Sequence, residues 1–380
     1  MSLHLPPRPA SLLALSGFLW FVLMGMSVTM TGPISSLMSS GLGQPSSNES
    51  QIGVALFTGS AIIVGLNGFF SHWFTGRWVA RYCAVAFIAG ATVIWTAQSW
   101  TQLLLGYGLI GLGNGGNSFW YNAEIARVFR DRGVGAWLSA LNGFWAVGAM
   151  TGPLLVGQSG GAWRWPVQVI WALGLACLVF AWIVPAPPPK EAQEEAREAL
   201  PRKTYGLMVL LGLYVGVEIT TLTFMSRHLM QVHEMTLATV SAIASSLWFA
   251  FMIARFGSGA IALRVHPSRI VAGAAVLAVV GAFLTSHPGL GWIGYVMIGV
   301  AMGPVFPSVI QWGTSMGHAP HRSTAIMVLG PCFTGVAFPA LVSAGMATRY
   351  EQLPWIVLAV HACIAVGALA LGTSRAEPAS

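Results

Sequence analysis

Long apolar runs, separated by short polar segments, make up most of the chain. A helix that crosses a bilayer needs about 20 predominantly apolar residues, and each run has roughly that length. Continuous apolar runs of this kind are typical of transmembrane helices. The pattern therefore predicts an all-α membrane protein with twelve transmembrane helices, at residues 11–37, 51–71, 79–98, 101–123, 134–157, 165–184, 205–229, 237–257, 269–286, 289–313, 322–346 and 352–372.

One long polar segment interrupts the apolar pattern near the middle of the chain. Residues 185–203 read PAPPPKEAQEEAREALPRK. The prolines oppose the start of a helix, and the charged side chains exclude the segment from the hydrocarbon layer. We therefore predict an N-terminal half at residues 1–184, a cytoplasmic linker at 185–204 and a C-terminal half at 205–380, with six helices in each half.

Glycine, proline and arginine residues recur at corresponding positions of the two halves, at an offset of roughly 187 to 190 residues, as expected for an internal repeat. Gly143 and Gly148 of the fifth run correspond to Gly330 and Gly335 of the eleventh. Two pseudo-symmetric six-helix halves of a transporter place a substrate site between them, near the bilayer midplane.

Composition supports the membrane class. The chain is 55% hydrophobic and only 8% charged, whereas roughly a quarter of the residues of a soluble domain are charged. Mean hydropathy is +0.71. The four cysteines all fall inside predicted spans, where they behave as small apolar residues, so they indicate neither a disulfide framework nor a metal site.

The net charge of +7 is distributed by loop rather than gathered in one patch. With the N-terminus inside, 15 of the 18 Lys and Arg residues lie on cytoplasmic segments and 3 lie outside, as the positive-inside rule requires. We therefore expect both termini to be cytoplasmic, no nucleic-acid partner, and a plasma membrane location, with a bacterial inner membrane as the expected one.

Several motifs resemble the major facilitator superfamily. The loop GFFSHWFTGRWVAR (68–81), the helix end NAEIARVFRDRG (122–133) and the run NGFWAVGAMTGPLLVG (142–157) resemble its helix two to three loop, helix four and helix five. GLYVGVEITTLTFMSRHL (212–229) and GVAMGPVFPSVIQWG (299–313) resemble helices seven and ten of its fucose, galactose and glucose proton-symporter group. His72 stands where the superfamily's loop has an aspartate. The resemblance implies a secondary transporter, with spans one, four, seven and ten around a central cavity.

Glu218 lies halfway along the seventh run. An ionisable side chain at that depth costs at least about 2.5 to 3.5 kcal/mol on insertion scales unless it faces protein or water. The functional interpretation is a cavity-facing carboxylate that binds substrate, a proton or another cation. The structural alternative is a glutamate hydrogen-bonded to a neighbouring helix through Tyr214, Thr220 or Thr221.

Other polar and aromatic side chains on the predicted spans are candidate contacts for substrate. Carboxamides both donate and accept, which suits hydroxylated ligands. For each amide taken alone, an interhelical hydrogen bond explains the residue equally well. We expect Trp20 and Trp312 to face the cavity. The candidate set besides Glu218 is Asn114, Asn117, Asn142, Gln311, Trp312, Trp20 and Tyr214.

Charged residues at the cytoplasmic end of the fourth run predict a gate. Glu124 is three residues before Arg127, so a local helix pair is the simplest account. The resemblance implies that Glu124 also bridges to Arg77 or Arg81 of the helix two to three loop and closes the cytoplasmic side. An ordinary solvated helix end is the alternative.

These observations favour a secondary active transporter that moves a small polar solute, such as a sugar or related metabolite, by alternating access, with H+ or Na+ as the candidate coupling ion. An antiporter that exports drugs or metabolites is the alternative, because GAMTGPLLVG (148–157) resembles the glycine-proline motif of antiporter members. A receptor that keeps the fold without transport is a third hypothesis. We expect no enzymatic activity, cofactor or metal, and a monomer in the lipid bilayer.

Overall fold

The computed structural model describes residues 8–45, 48–69, 77–183, 200–316, 320–346 and 349–373, and these are almost entirely helical. The first half contains α1 (Arg8–Thr29), α2 (Thr31–Gly41), α3 (Ser50–Phe69), α4 (Arg77–Trp95), α5 (Trp100–Val128), α6 (Val134–Gly157) and α7 (Arg164–Ile183). The second half contains α8 (Arg202–Gln231), α9 (Leu237–Ala262), α10 (Pro267–Thr285), α11 (Gly291–Met302), α12 (Val305–Ser315), α13 (Pro320–Met346) and α14 (Leu353–Thr373).

The twelve-helix prediction is confirmed, with one informative exception in hydropathy. Within the described residues, eleven helical stretches are long and apolar enough to cross a membrane. The twelfth is α5, whose 29 residues include six glycines and three asparagines. These residues lower its hydropathy, but most of the helix is buried by its neighbours, so lipid does not have to solvate it.

The tenth predicted span is a broken helix. It consists of α11 and α12, which are separated by Gly303 and Pro304. Proline has no backbone N–H and clashes with the preceding turn, so it interrupts the helical ladder. The Tyr214 hydroxyl donates a hydrogen bond to the Met302 carbonyl at 2.9 Å. A side chain of α8 thus satisfies a backbone group at the interruption, as a membrane interior requires.

Helix packing repeats between the halves. In the first half α1 packs on α6, and α5 packs on both α3 and α4; in the second half α8 packs on α13, and α11 packs on both α9 and α10. The halves meet where α6 packs on α9 and where α3 packs on α13. These two helix pairs form the most extensive contacts between the two pseudo-symmetric halves.

The division into residues 1–184, 185–204 and 205–380 stays a prediction. Most of the linker lies outside the described part of the chain, and α8 begins at Arg202, within the predicted linker.

The end of the bundle at which α1 begins and α14 ends is named the basic end.

Glycines allow the closest helix contacts. A Cβ added at Gly148 of α6 would lie 2.0 Å from the Val22 carbonyl oxygen of α1, and one added at Gly111 of α5 would lie 2.0 Å from the Leu56 carbonyl oxygen of α3. Small residues at helix crossings let backbones approach in lipid, where the hydrophobic effect does not drive helices together. The glycine repeat seen in the sequence therefore has a packing role.

We predict that Gly148→Ala destabilises the protein by about 1–3 kcal/mol, because the added methyl group pushes α1 away from α6. Thermal unfolding in detergent measures the change. Gly157→Ala, in the last turn of the same helix with no atom within 4 Å of the added Cβ, is the matched control and should be close to neutral. Equal losses in both variants would contradict the packing account.

Candidate functional site

Glu218 lies inside the protein, near the middle of α8. Its residue surface is 6% exposed, so it does not face the acyl chains. The Nη2 atom of Arg255, on α9, lies 3.9 Å from Glu218 Oε1. Tyr214 lies one helical turn before Glu218 on the same helix, and its hydroxyl is buried with the carboxylate. An acid, a base and a phenol therefore form one cluster between α8 and α9.

Arg255 extends this cluster across the interface between the halves. Its guanidinium carbon lies 4.1 Å from the ring centroid of Phe251 and 5.0 Å from that of Trp145, on α6 of the other half. Its Nη1 atom donates a hydrogen bond to the Asn142 carbonyl oxygen at 3.2 Å. One buried cation thus contacts both halves.

Arg255 was not among the candidate residues predicted from the sequence, because it is one of the 15 Lys and Arg residues placed on cytoplasmic segments. The structure instead places it seven residues before the end of α9, with 3% of its surface exposed. The signal was present, because Arg255 falls within the apolar run LWFAFMIARF (247–256). A charge inside a spanning helix has the same insertion cost as Glu218 and needs the same explanation.

The buried pair is electrostatically linked but incompletely hydrogen-bonded. Among the described residues, neither Glu218 Oε1 nor Arg255 Nε has a hydrogen-bond partner. The separation of 3.9 Å is also longer than the roughly 2.7–2.9 Å of a direct charge-assisted hydrogen bond. The two groups therefore neutralise each other's charge while each retains capacity to bind another group.

Asparagines continue the polar cluster into the first half. Asn142 Nδ2 donates to Asn122 Oδ1 at 3.3 Å and to the Leu138 carbonyl oxygen at 2.9 Å. Because Asn142 also accepts from Arg255, a continuous polar chain runs from α8 through α9 and α6 to α5. The structure brings together Glu218, Tyr214 and Asn142 of the predicted set.

Asn114 and Asn117 lie on α5, which packs on α1, α3, α4, α6 and α13. Asn114 Nδ2 donates to the Ser27 hydroxyl of α1 at 2.9 Å. Asn117 is 1% exposed, and neither of its amide atoms has a partner in the described part of the chain. A buried amide without hydrogen bonds costs about 1–3 kcal/mol, so Asn117 has unused binding capacity inside the protein.

Trp20 and Trp312 are both buried. Trp20 is 1% exposed and packs edge-on against Phe87 of α4, inside the first half. Trp312 is 4% exposed and packs edge-on against His266, which caps α10. Each ring therefore contacts a second helix of its own half, and the expectation that both rings also face the cavity stays a prediction.

Gln311 lies toward the basic end rather than at the midplane. It helps line a cavity of about 300 Å³ between the two halves, and its Oε1 atom has no partner within the described ranges. The other lining residues come from the end of α5, the start of α6 and the end of α12. They are Ala126, Arg130, Val134, Thr314, Ser315 and Met316.

Glu124 joins the two halves at the basic end. Its Oε2 atom accepts from Arg127 Nη2 at 2.8 Å, and its Oε1 atom lies 2.8 Å from His321 Nε2, in the first turn of α13. The Ser258 hydroxyl of α9 donates to the Ser139 hydroxyl of α6 at 3.0 Å. These contacts bridge the halves at one end of the bundle.

Arg127 contacts Glu124 as predicted, whereas the described contacts of Arg81 lie elsewhere. The Arg81 guanidinium donates to the Trp182 carbonyl oxygen at 3.2 Å and lies 4.2 Å from the Trp182 ring centroid. It therefore binds the end of α7, within its own half. The Arg77 side chain and His72 lie outside the described residues. His321, to which the sequence analysis gave no role, contacts Glu124 in the other half.

No group of three His, Cys, Asp or Glu side chains that could hold a metal ion occurs among the residues that the structure describes.

Comparison with protein families gives a match to the model of the Major Facilitator Superfamily over residues 17–341. Among curated proteins, the chain is 29% identical over 115 residues to MFS transporter L2 from Phoma sp. (strain ATCC 20986 / MF5453), and 28% identical over 144 residues to the MFS-type transporter ucsD from Acremonium sp.. These matches cover 30% and 37% of this chain, and only 19% and 25% of the length of those relatives.

Solved transporter structures share the fold over nearly the whole chain. The major facilitator transporter FucP in its outward conformation superposes with a TM-score of 0.79 at 16% identity, covering 97% of this chain and 99% of FucP. The human organic anion transporter MFSD10 superposes at 0.74 and 15% identity, covering 96% and 100%. The proton:xylose symporter XylE superposes at 0.76 and 13% identity, covering 94% of each. At these identities the likeness shows the fold.

We predict that Arg255→Gln destabilises the folded protein by about 3–5 kcal/mol, because it leaves the Glu218 carboxylate buried without its counter-charge. The double variant Glu218→Gln/Arg255→Gln removes both charges and should recover most of that loss. Chemical unfolding of the single and double variants in detergent gives the coupling free energy. Strictly additive losses would show that the pair does not interact.

Proposed function

The chain belongs to the Major Facilitator Superfamily, and from that premise we propose that it moves a small polar solute across a membrane by alternating access, coupled to a proton that binds Glu218. The observation that carries this proposal is the buried Glu218 and Arg255 pair, which lies against the interface between the halves. Ionisable residues inside membrane-spanning helices mark ion and substrate pathways.

The contacts between halves support a rocking mechanism. Glu124 with His321, and Ser139 with Ser258, join the halves at the basic end. The excess of Lys and Arg at that end favours a cytoplasmic location for it, and the plasma membrane of a bacterium stays the expected membrane. The structure then corresponds to an outward-facing state with a closed cytoplasmic gate, and breaking these contacts would open the inward path.

The charge next to Glu218 favours a proton over Na+ as the coupling ion. The Arg255 guanidinium lies 3.9 Å from the carboxylate, and two positive charges at such a distance repel strongly in a medium of low dielectric constant. A bound Na+ would add a second cation to the cluster. A proton instead neutralises the carboxylate and forms a covalent O–H bond, so it requires no further ligands.

Unused amide groups support a hydroxylated solute such as a sugar or a related metabolite. Both amide atoms of Asn117, and Oδ1 of Asn114, lack partners among the described residues. An amide presents a donor and an acceptor, and a hydroxyl group satisfies either one. A bound solute would therefore remove the cost of leaving these groups unpaired.

Export of an amphipathic compound is the second candidate function. The ring centroids of Trp145 and Trp248 lie 6.1 Å apart across the two halves, and those of Trp145 and Phe251 lie 6.2 Å apart. Aromatic surfaces beside one buried charge suit a ligand with both apolar and polar parts. The direction of net flux under a proton gradient distinguishes symport from antiport.

We predict that an inward proton gradient drives solute uptake into proteoliposomes containing the full chain, and that Glu218→Gln abolishes accumulation above equilibrium. The glutamine keeps the size of the side chain but cannot carry the proton. Glu351→Gln, at an exposed acid outside the long helices, is the matched control and should retain uptake. Accumulation that survives Glu218→Gln with an unchanged pH profile would remove Glu218 from the mechanism.

We also predict that oxidation of a Ser139→Cys/Ser258→Cys variant stops transport, because a disulfide would hold the basic end closed. The native hydroxyl oxygens are 3.0 Å apart, which places the two side chains close enough for this bond. Reduction should restore flux, and each single cysteine variant should be insensitive to oxidant. Full transport by the oxidised pair would contradict alternating access at this interface.

A further inference from the structure

The geometry of the buried pair points to a substrate class: we propose that the solute is a small organic anion with one negative charge, and that it binds together with one proton. This inference rests on the proposed function and adds the charge of the solute. It concerns the Glu218 carboxylate, the Arg255 guanidinium and the groups packed around them.

Arg255 keeps its charge throughout a transport cycle, because a guanidinium is not deprotonated in proteins. When a proton neutralises Glu218, the Arg255 cation is left buried with 3% of its surface exposed and no counter-charge. A buried charge without a partner is strongly unfavourable. A neutral solute cannot correct this imbalance, whereas a carboxylate can.

The guanidinium has an edge suited to such a carboxylate. Its Nη1 atom donates to the Asn142 carbonyl oxygen, on the side that faces the first half. On the opposite edge, Nε has no partner among the described residues, and Nη2 lies 3.9 Å from Glu218. The Nε and Nη2 hydrogens of an arginine point the same way and can bind both oxygens of one carboxylate.

Charge neutrality then makes the two binding events depend on each other. The empty pair carries one negative and one positive charge, so its sum is zero. Addition of one proton and one monoanion gives a neutral acid, a guanidinium and a carboxylate, whose sum is again zero. Either ligand alone leaves a net charge in the protein interior. Each must therefore increase the affinity for the other by the same factor.

Within the described ranges, neighbouring helices supply no other charge at this position. The charged group that contacts Glu218 is Arg255, at 3.9 Å, and the uncharged Tyr214 lies one turn before it on α8. The polar group that α6 places beside Arg255 is the uncharged Asn142. Helices α13 and α14 also pack on α8. The described ionisable groups within their spans are Cys332 and His361, which are buried, and Cys363, which is exposed. The remaining ones, His321 and Arg322, lie at the basic end.

The probes follow from the carboxylate that Arg255 suits and from the polar solute of the proposed function. A hydroxylated monocarboxylate has one carboxylate for the guanidinium and is otherwise similar to a sugar. We therefore choose D-gluconate and L-lactate as probes and D-glucose as the neutral control.

Binding to the purified full chain in lipid nanodiscs tests the linkage directly. In the natural protein, gluconate or lactate should bind at least about tenfold more tightly near pH 6 than near pH 8. In Glu218→Gln, where Arg255 has no counter-charge, the same anion should bind with similar affinity at both pH values. Glucose should show no such dependence.

Variants of the arginine separate binding from folding. Glu218→Gln/Arg255→Gln is a neutral pair that should fold, because it leaves no uncompensated charge, yet it should lose anion binding. Arg264→Gln, at an exposed arginine near the end of α9, is the matched control and should bind as the natural protein does. Anion binding that persists in the folded double variant would overturn the proposal.

Transport distinguishes failure of this inference from failure of the proposed function. Uptake of gluconate or lactate driven by a proton gradient should not respond to a potassium diffusion potential, because one proton and one monoanion carry no net charge. Proton-driven, Glu218-dependent uptake of glucose without uptake of either anion would overturn the anion class and leave the proposed function standing. Absence of proton-driven flux for all three probes would count against both.

Discussion

The attraction between a carboxylate and a guanidinium in the protein interior holds the centre of this molecule together. Glu218 and Arg255 are 6% and 3% exposed, and each would be unfavourable without the other. Their helices, α8 and α9, belong to one half, but Arg255 also binds a backbone carbonyl and an aromatic ring of the other half. The same pair therefore balances the interior charge and connects the two halves.

The surrounding helices position this pair through close packing and a break in one helix. Glycines such as Gly148 and Gly111 bring helices of one half into backbone contact, which gives each half a tightly packed interior. The break between α11 and α12 places the Met302 carbonyl where Tyr214 binds it, and Tyr214 lies one helical turn before Glu218. At the basic end, Glu124 and His321 supply a contact that has to break when the halves separate there.

The transmembrane helices could be predicted from the sequence because a spanning helix is recognised by the length and hydropathy of its apolar run. Glu218 could be chosen as a functional candidate because a charge in the hydrocarbon layer is costly. The structure places that residue inside the protein. The same rule applied to Arg255, but this residue was counted with the many arginines that the sequence pattern assigns to cytoplasmic helix ends. His321 gave no local signal, since its partner Glu124 lies 197 positions away along the chain and only the fold joins them. The ring neighbours of Trp20 and Trp312 could not be predicted either, because hydrophobicity along a spanning helix does not reveal which side meets a particular neighbouring helix.

Infrared difference spectroscopy of the protein in lipid tests the central claim most directly, because a protonated carboxyl group has a carbonyl stretching band distinct from that of a carboxylate. The account predicts that addition of a transported solute at constant pH produces such a band in the natural protein, and that the band is missing in Glu218→Gln. A solute-induced carboxyl band that persists in Glu218→Gln, or the absence of any such band in the natural protein, would contradict the account.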